Sequence, residues 1–239
     1  LEFTHTYETV FPQEVRDRYT LREVRNAGAA LAAGSSELLG EVIAVLGGFT
    51  LTEAHVLDRG GNKSKAAREL DEAFRKLGWR EGEFHNKVTT VVKKHPYRAG
   101  GERAPTIEQR TAVNRSYATR STTSKGCVAL DGEWNAKDGN LDRDLTAYRA
   151  FYQAALIDVG VILTRTQEDL RELAVRLGRD TFKTSTTTNL AKLAPRLARG
   201  DAGGCPVLAI CISSATMTAP APSSPENTGE GADRTPRRR

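Results

Sequence analysis

Three short apolar runs, at residues 126–135, 158–164 and 205–212, constrain the fold of this chain more than any other feature. Each is too short for an ordinary core helix, and Val, Ile, Leu and Cys recur through them, as in strands buried in a sheet. Between the first two, residues 142–157 place Leu145, Tyr148, Tyr152 and Leu156 on one helical face, with Asp142 positioned as a cap. Between the second and third lie a helical stretch at 166–178, opened by Thr166, and a basic one at 189–199 that contains Pro195. Strand, helix, strand, helix, helix, strand is the order of an α/β fold with a central sheet flanked by helices.

Upstream, residues 11–46 read as helical, with Val15, Leu21, Val24, Ala27 and Leu31 near helical spacing and a second helix carrying Leu38, Leu39, Val42 and Val45. A third helix carries Ala66, Leu70, Phe74 and Leu77 and stops at Gly78, a left-handed cap position. β-branched residues at 84–94 suggest a strand, and the Pro-, Gly-, Ser- and Arg-rich stretch 95–124 an irregular loop. The expected organisation is a helical N-terminal region over 1–83 packed on an α/β core over 84–216. A tail over 217–239 is too rich in Pro, Ala, Ser and Gly to order itself.

Composition narrows the function. No stretch approaches the roughly 20 apolar residues of a membrane span, and no signal-peptide pattern is present, so membrane and secretory roles are not expected. Three cysteines without paired spacing (Cys127, Cys205, Cys211) fit a reducing cytoplasm and read as small buried hydrophobes. Trp79 and Trp134 read as core residues, and the four histidines show no metal-ligand spacing. A net charge of +5 is a mild bias toward polyanionic partners.

The first strand carries the chemistry. Side chains alternate along a strand, so Asp131, Glu133 and Asn135 share one side, about 7 Å apart, while Val128, Leu130 and Trp134 take the other. Two carboxylates and an amide in a row form a hard-oxygen cluster suited to Mg²⁺, although a strand with one solvated face explains the same pattern. Lys137 either continues that side toward a phosphate or begins a turn. Arg143 and Arg149 either contact phosphates or pair with Asp138, Asp142 or Asp144. Thr187 and Asn189 either present amides and hydroxyls to phosphate at a helix N-terminus or simply cap it. Lys192, Arg196 and Arg199 form a basic stripe, either solvated or facing a nucleic acid.

The run 128–138, continuing through Asp142-Arg143-Asp144-Leu145, resembles the core of BglII-type restriction endonucleases, in which an E-W-N-x-K-D stretch leads to D-R-D-L and a helix. The likeness extends through residues 158–165, 186–190 and 203–208, with weaker echoes at 60–64 and 78–80. The resemblance implies a restriction-endonuclease-like fold, a central mixed sheet flanked by helices, and Mg²⁺-dependent hydrolysis of double-stranded DNA by a homodimer. It places Glu133 as an acidic metal ligand and Asn135 as the residue that orients the attacking water, and it leaves the first acid to Asp131 or to Glu108 returning across the loop. The family's first aspartate, expected near residues 121–124, has no counterpart, because Glu102 and Glu108 are the only acids between Gly101 and Leu130. That gap, with a Gly at position 132, leaves open a DNA-binding relative of the same fold with impaired catalysis.

Overall fold

The computed structural model describes residues 1–58, 64–82, 85–94, 106–115, 123–182 and 186–217. In chain order these form β1 (Phe3–Thr4), α1 (Tyr7–Val10), α2 (Gln13–Arg18), β2 (Tyr19–Val24), α3 (Ala27–Gly34), α4 (Ser36–Gly48), α5 (Glu53–Val56) and α6 (Lys65–Lys76). They continue with β3 (Arg80–Glu81), β4 (His85–Lys94), β5 (Thr106–Arg115), β6 (Thr123–Lys125), β7 (Val128–Gly132) and α7 (Gly139–Gln153). The last are β8 (Val159–Arg165), α8 (Glu168–Arg176), α9 (Leu190–Arg199), β9 (Val207–Ile212) and a 3₁₀ turn at Ser214–Met217.

Seven strands make one sheet in the order β1-β2-β9-β8-β7-β6-β3. The three apolar runs form its parallel centre, with β7 on β8 and β8 on β9, and antiparallel strands extend it on both sides. Every residue of β8 and β9 is buried, as continuous apolar strands require. Alternation divides the core between the two faces of the sheet. Val128, Leu130, Val161, Leu163, Leu208 and Ile210 pack against the N-terminal helices and α8. Ala129, Ile162, Val207, Ala209 and Cys211 pack against Leu141, Leu145, Tyr148 and Phe151 of α7 and Leu193 and Leu197 of α9. The result is an α/β/α sandwich, the mixed sheet with flanking helices expected from the sequence.

Several sequence expectations are corrected. Residues 11–46 are not all helical, because Tyr19–Val24 is a strand that pairs residue by residue with β9, from Tyr19 opposite Ile212 to Val24 opposite Val207. Leu21 and Val24 fit a helical period locally, but only the strand satisfies the ladder groups along that edge of β9. The N-terminal region therefore supplies three strands to the sheet, β1, β2 and β3. Within the stretch expected to be a loop, Thr106–Arg115 is a ten-residue strand paired with His85–Lys94 in a separate two-stranded ribbon. Cys127 is exposed, whereas Cys205 and Cys211 are buried. The tail beyond Met217 lies outside the described residues.

Candidate active site

The strand expected over 126–135 stops at Gly132. The Glu133 amide still bonds to the Leu163 carbonyl at 2.7 Å, and the Thr164 and Thr188 hydroxyls hold the Glu133 carbonyl at 2.9 and 2.7 Å. Backbone alternation is thus preserved as far as Glu133. Asp131 and Glu133 face α7, while Leu130 and Trp134 face the opposite layer, where Trp134 meets Phe182 edge-on. The alternation then breaks. Asn135 adopts a left-handed backbone (φ 56°), and its amide oxygen accepts from Arg165 Nε at 2.8 Å. The expected row of three is a row of two.

Arg165 explains the detour. It closes β8 fully buried, and its guanidinium stacks over the Phe182 ring at 4.5 Å. Besides Asn135 it donates to the Thr166 carbonyl, the Gln167 side chain and the Thr187 hydroxyl at 2.7–3.0 Å. Burial pulls its pKa down to about 10. Every one of those acceptors is neutral, so removing one leaves a buried cation short of a partner.

Around Glu133 the chain supplies Asn140 and Asp144, which were not singled out for the site from the sequence, and Arg143, which takes the acid-pairing alternative rather than standing free for phosphate. α7 begins seven residues after β7, and its first turns fold over the acid. Asn140 Nδ2 lies 3.4 Å from Glu133 Oε2, and the Arg143 guanidinium lies 3.7 Å from Glu133 Oε1 and 3.0 Å from Asp144 Oδ1. Asp144 is fully buried beside the Glu133 carboxyl. Burial first and the Glu133 charge second push Asp144 up to about 8, so near neutrality Asp144 carries the proton of that carboxyl pair. Glu133 is also raised, chiefly by burial, with Asp131 adding to the shift. The Tyr148 hydroxyl donates to the Val161 carbonyl at 2.7 Å, and it is held well above its usual range by burial and by the neighbouring Asp131. The signal for Asp144 was present in the sequence. Leu141, Asp144, Leu145 and Tyr148 follow helical spacing, which sets a carboxylate inside an apolar stripe.

Glu133 is only 3% exposed and sits behind Arg143, which is 40% exposed. α7 closes over it, with Arg143 on its solvent side. Among the described residues no three acidic, histidine or cysteine side chains converge in a metal-ligating group. The side chains that could hold a cation here are the Asp131 and Glu133 carboxylates. That suits Mg²⁺, which is usually held by one or two carboxylates with water and substrate phosphate completing its shell.

A family model described as restriction endonuclease BglII/BglIII matches residues 19–212, from the first residue of β2 to the last of β9. The chain belongs to this restriction endonuclease family. No curated protein matches it. In this endonuclease fold the other residues singled out for DNA contact are mostly engaged within the protein. Lys137 is the exception: it bridges Thr187 through the backbone alone and is exposed. Asn189 is buried and caps α9, accepting from the Lys192 amide at 3.0 Å. Lys192 pairs with Asp138 at 2.9 Å, Arg196 with Asp142 at 2.6 Å and Arg199 with Asp201 at 2.7 Å. The basic stripe of α9 is therefore largely a seam of ion pairs to α7, because the two helices share one face of the sheet. Arg149 is exposed, with its stem against Gly203, where an added Cβ would lie 2.9 Å from Arg149 Cγ.

Proposed function

We propose that this protein is a type II restriction endonuclease that hydrolyses phosphodiester bonds of double-stranded DNA with Mg²⁺, in the cytoplasm and as a homodimer. The observation that carries the proposal is the pairing of Asp131 and Glu133 on one face at the C-terminal end of β7, within a sheet matched by the endonuclease family. Asp131 and Glu133 would hold the ion. Bound there, Mg²⁺ supplies charge stabilisation at the phosphate and a more acidic water.

The chain's own residues prepare the site. Arg143 balances Glu133 and Asp144 while both are buried together. Asp144 stores the proton that keeps two adjacent carboxylates from both being charged. Asn140 orients the Glu133 carboxyl from the start of α7. Asn135 acts through Arg165, bracing the end of β7 against Thr187, so it is a positioning residue for the acidic pair. A palindromic recognition sequence follows from a two-fold dimer.

The test is incubation of unmethylated duplex DNA with the protein and Mg²⁺, followed by separation of the products. Discrete fragments are expected. Glu133→Ala should lower the rate at least a hundredfold, in line with the 10²–10³ loss on removing one transition-state charge stabiliser. Full activity in that variant overturns the assignment of Glu133. The lack of any Asp between Gly101 and Leu130 favours one alternative, a protein of the same fold that binds duplex DNA without cutting it. Metal-independent, salt-sensitive retardation of duplex DNA without nicking would select that alternative.

A further inference from the structure

The two-stranded ribbon of β4 and β5 stands apart from the sheet that carries the acids. Among the described residues its strands pair only with each other, over ten positions from His85 opposite Arg115 to Lys94 opposite Thr106. Across 89–94 and 106–111 every residue except the half-buried Glu108 is exposed, including Val91, Val92 and Ile107. An isolated two-stranded ribbon is marginal in water, so one this long is matched to something outside the described residues.

Charge says what that is. The ribbon strands hold five basic residues (Lys87, Lys93, Lys94, Arg110, Arg115) against one acid, a net +4 where the whole chain carries +5. The one acid, Glu108, is paired with Lys94. By register, one face presents Thr89, Val91, Lys93, Ile107, Gln109 and Thr111, donor-bearing and apolar groups with no acid. On the other face lies Arg110, opposite Thr90. A two-stranded ribbon fits the major groove of B-form DNA.

We propose that the β4–β5 ribbon is a DNA-gripping arm that enters the major groove of a duplex and neutralises phosphates on its two sides, through Lys93 from one face and Arg110 from the other, apart from the Asp131/Glu133 site. This rests on the endonuclease reading above. A second copy of the chain fits the ribbon less well, since two such basic segments would repel.

The experiment measures the affinity of the full chain for fluorescent duplex DNA across a salt series, with Ca²⁺ in place of Mg²⁺, alongside sedimentation of the free protein. Lys93→Gln with Arg110→Gln should make the plot of log affinity against log salt shallower by about one to two, at about 0.9 per phosphate contact. The loss should be similar on unrelated duplexes, with the melting temperature unchanged, and Lys93→Arg with Arg110→Lys should restore the slope. An unchanged slope in the Gln variant overturns the arm while leaving the endonuclease assignment standing. A shift from dimer to monomer with an unchanged slope overturns it in favour of a contact between copies. Failure of the parent chain to bind any duplex overturns the endonuclease assignment first, and the arm with it.

Discussion

The carboxyl pair Glu133–Asp144 makes the protein's stability depend on pH in an unusual direction. An unfolded Asp releases its proton near pH 4, whereas Asp144 in the fold holds it up to about pH 8. Between those values the folded state binds the extra proton. The stabilisation is complete below about pH 4 and drains away as pH rises toward 8. The melting temperature should therefore fall between pH 5 and pH 8, and Asp144→Asn should flatten that fall. Asn135 offers a separate test. Its replacement by Ala strips an acceptor from the buried Arg165, at a cost of about 1–3 kcal/mol in urea unfolding. A side chain that only positioned water would show no such loss. At this scale the sequence was half legible. Alternation placed Asp131 and Glu133 correctly, since strand geometry is local. It misplaced Asn135 because the partner that turns it, Arg165, is thirty residues away.

At the level of elements, glycines mark where packing leaves no choice and where it leaves some. Gly160 lies under the Tyr148 ring, where a Cβ would come within 2.2 Å of ring carbon. Gly160→Ala should destabilise by at least about 1–3 kcal/mol, the usual cost of overpacking, measured by denaturant midpoint. Gly132 is the opposite case. It borders a small apolar hollow lined by Leu70, Phe74, Leu130 and Trp134, and an added Cβ would meet only Asp71 at an ordinary 3.6 Å. Gly132→Ala should raise stability by about 0.4–1 kcal/mol by restricting the unfolded chain. The central strands and helices were legible because their apolar periods are strong and uninterrupted. The ribbon strand Thr106–Arg115 was not, because its residues 106–111 are mostly polar and, Glu108 apart, exposed, so that no buried face imposes a period of two there. The basic stripe of α9 was visible as a pattern, but its neutralisation by Asp138, Asp142 and Asp201 depends largely on the docking of α7 beside it.

For the whole molecule, the decisive connection is between β2 and β9. Six residue pairs join Tyr19–Val24 to Val207–Ile212, and the Ser213 and Thr216 hydroxyls both donate to the Arg18 carbonyl, at 2.8 and 2.7 Å. Helical spacing in the sequence hid this strand, since its partner lies almost two hundred residues downstream. Such distant pairing makes folding slow relative to chains of local contacts. It also orders events on the ribosome. A nascent chain arrested before residue 207 has made β7 and its acids but lacks the strand on which β2 and β8 both lean. Limited proteolysis of ribosome-bound chains should find residues 19–24 cleavable at that length and protected once residues 207–212 have cleared the exit tunnel. Under the proposed endonuclease activity, a half-synthesised molecule would lack the strand that backs β8 behind its acidic pocket, and a cell would be spared cutting by its own unfinished copies.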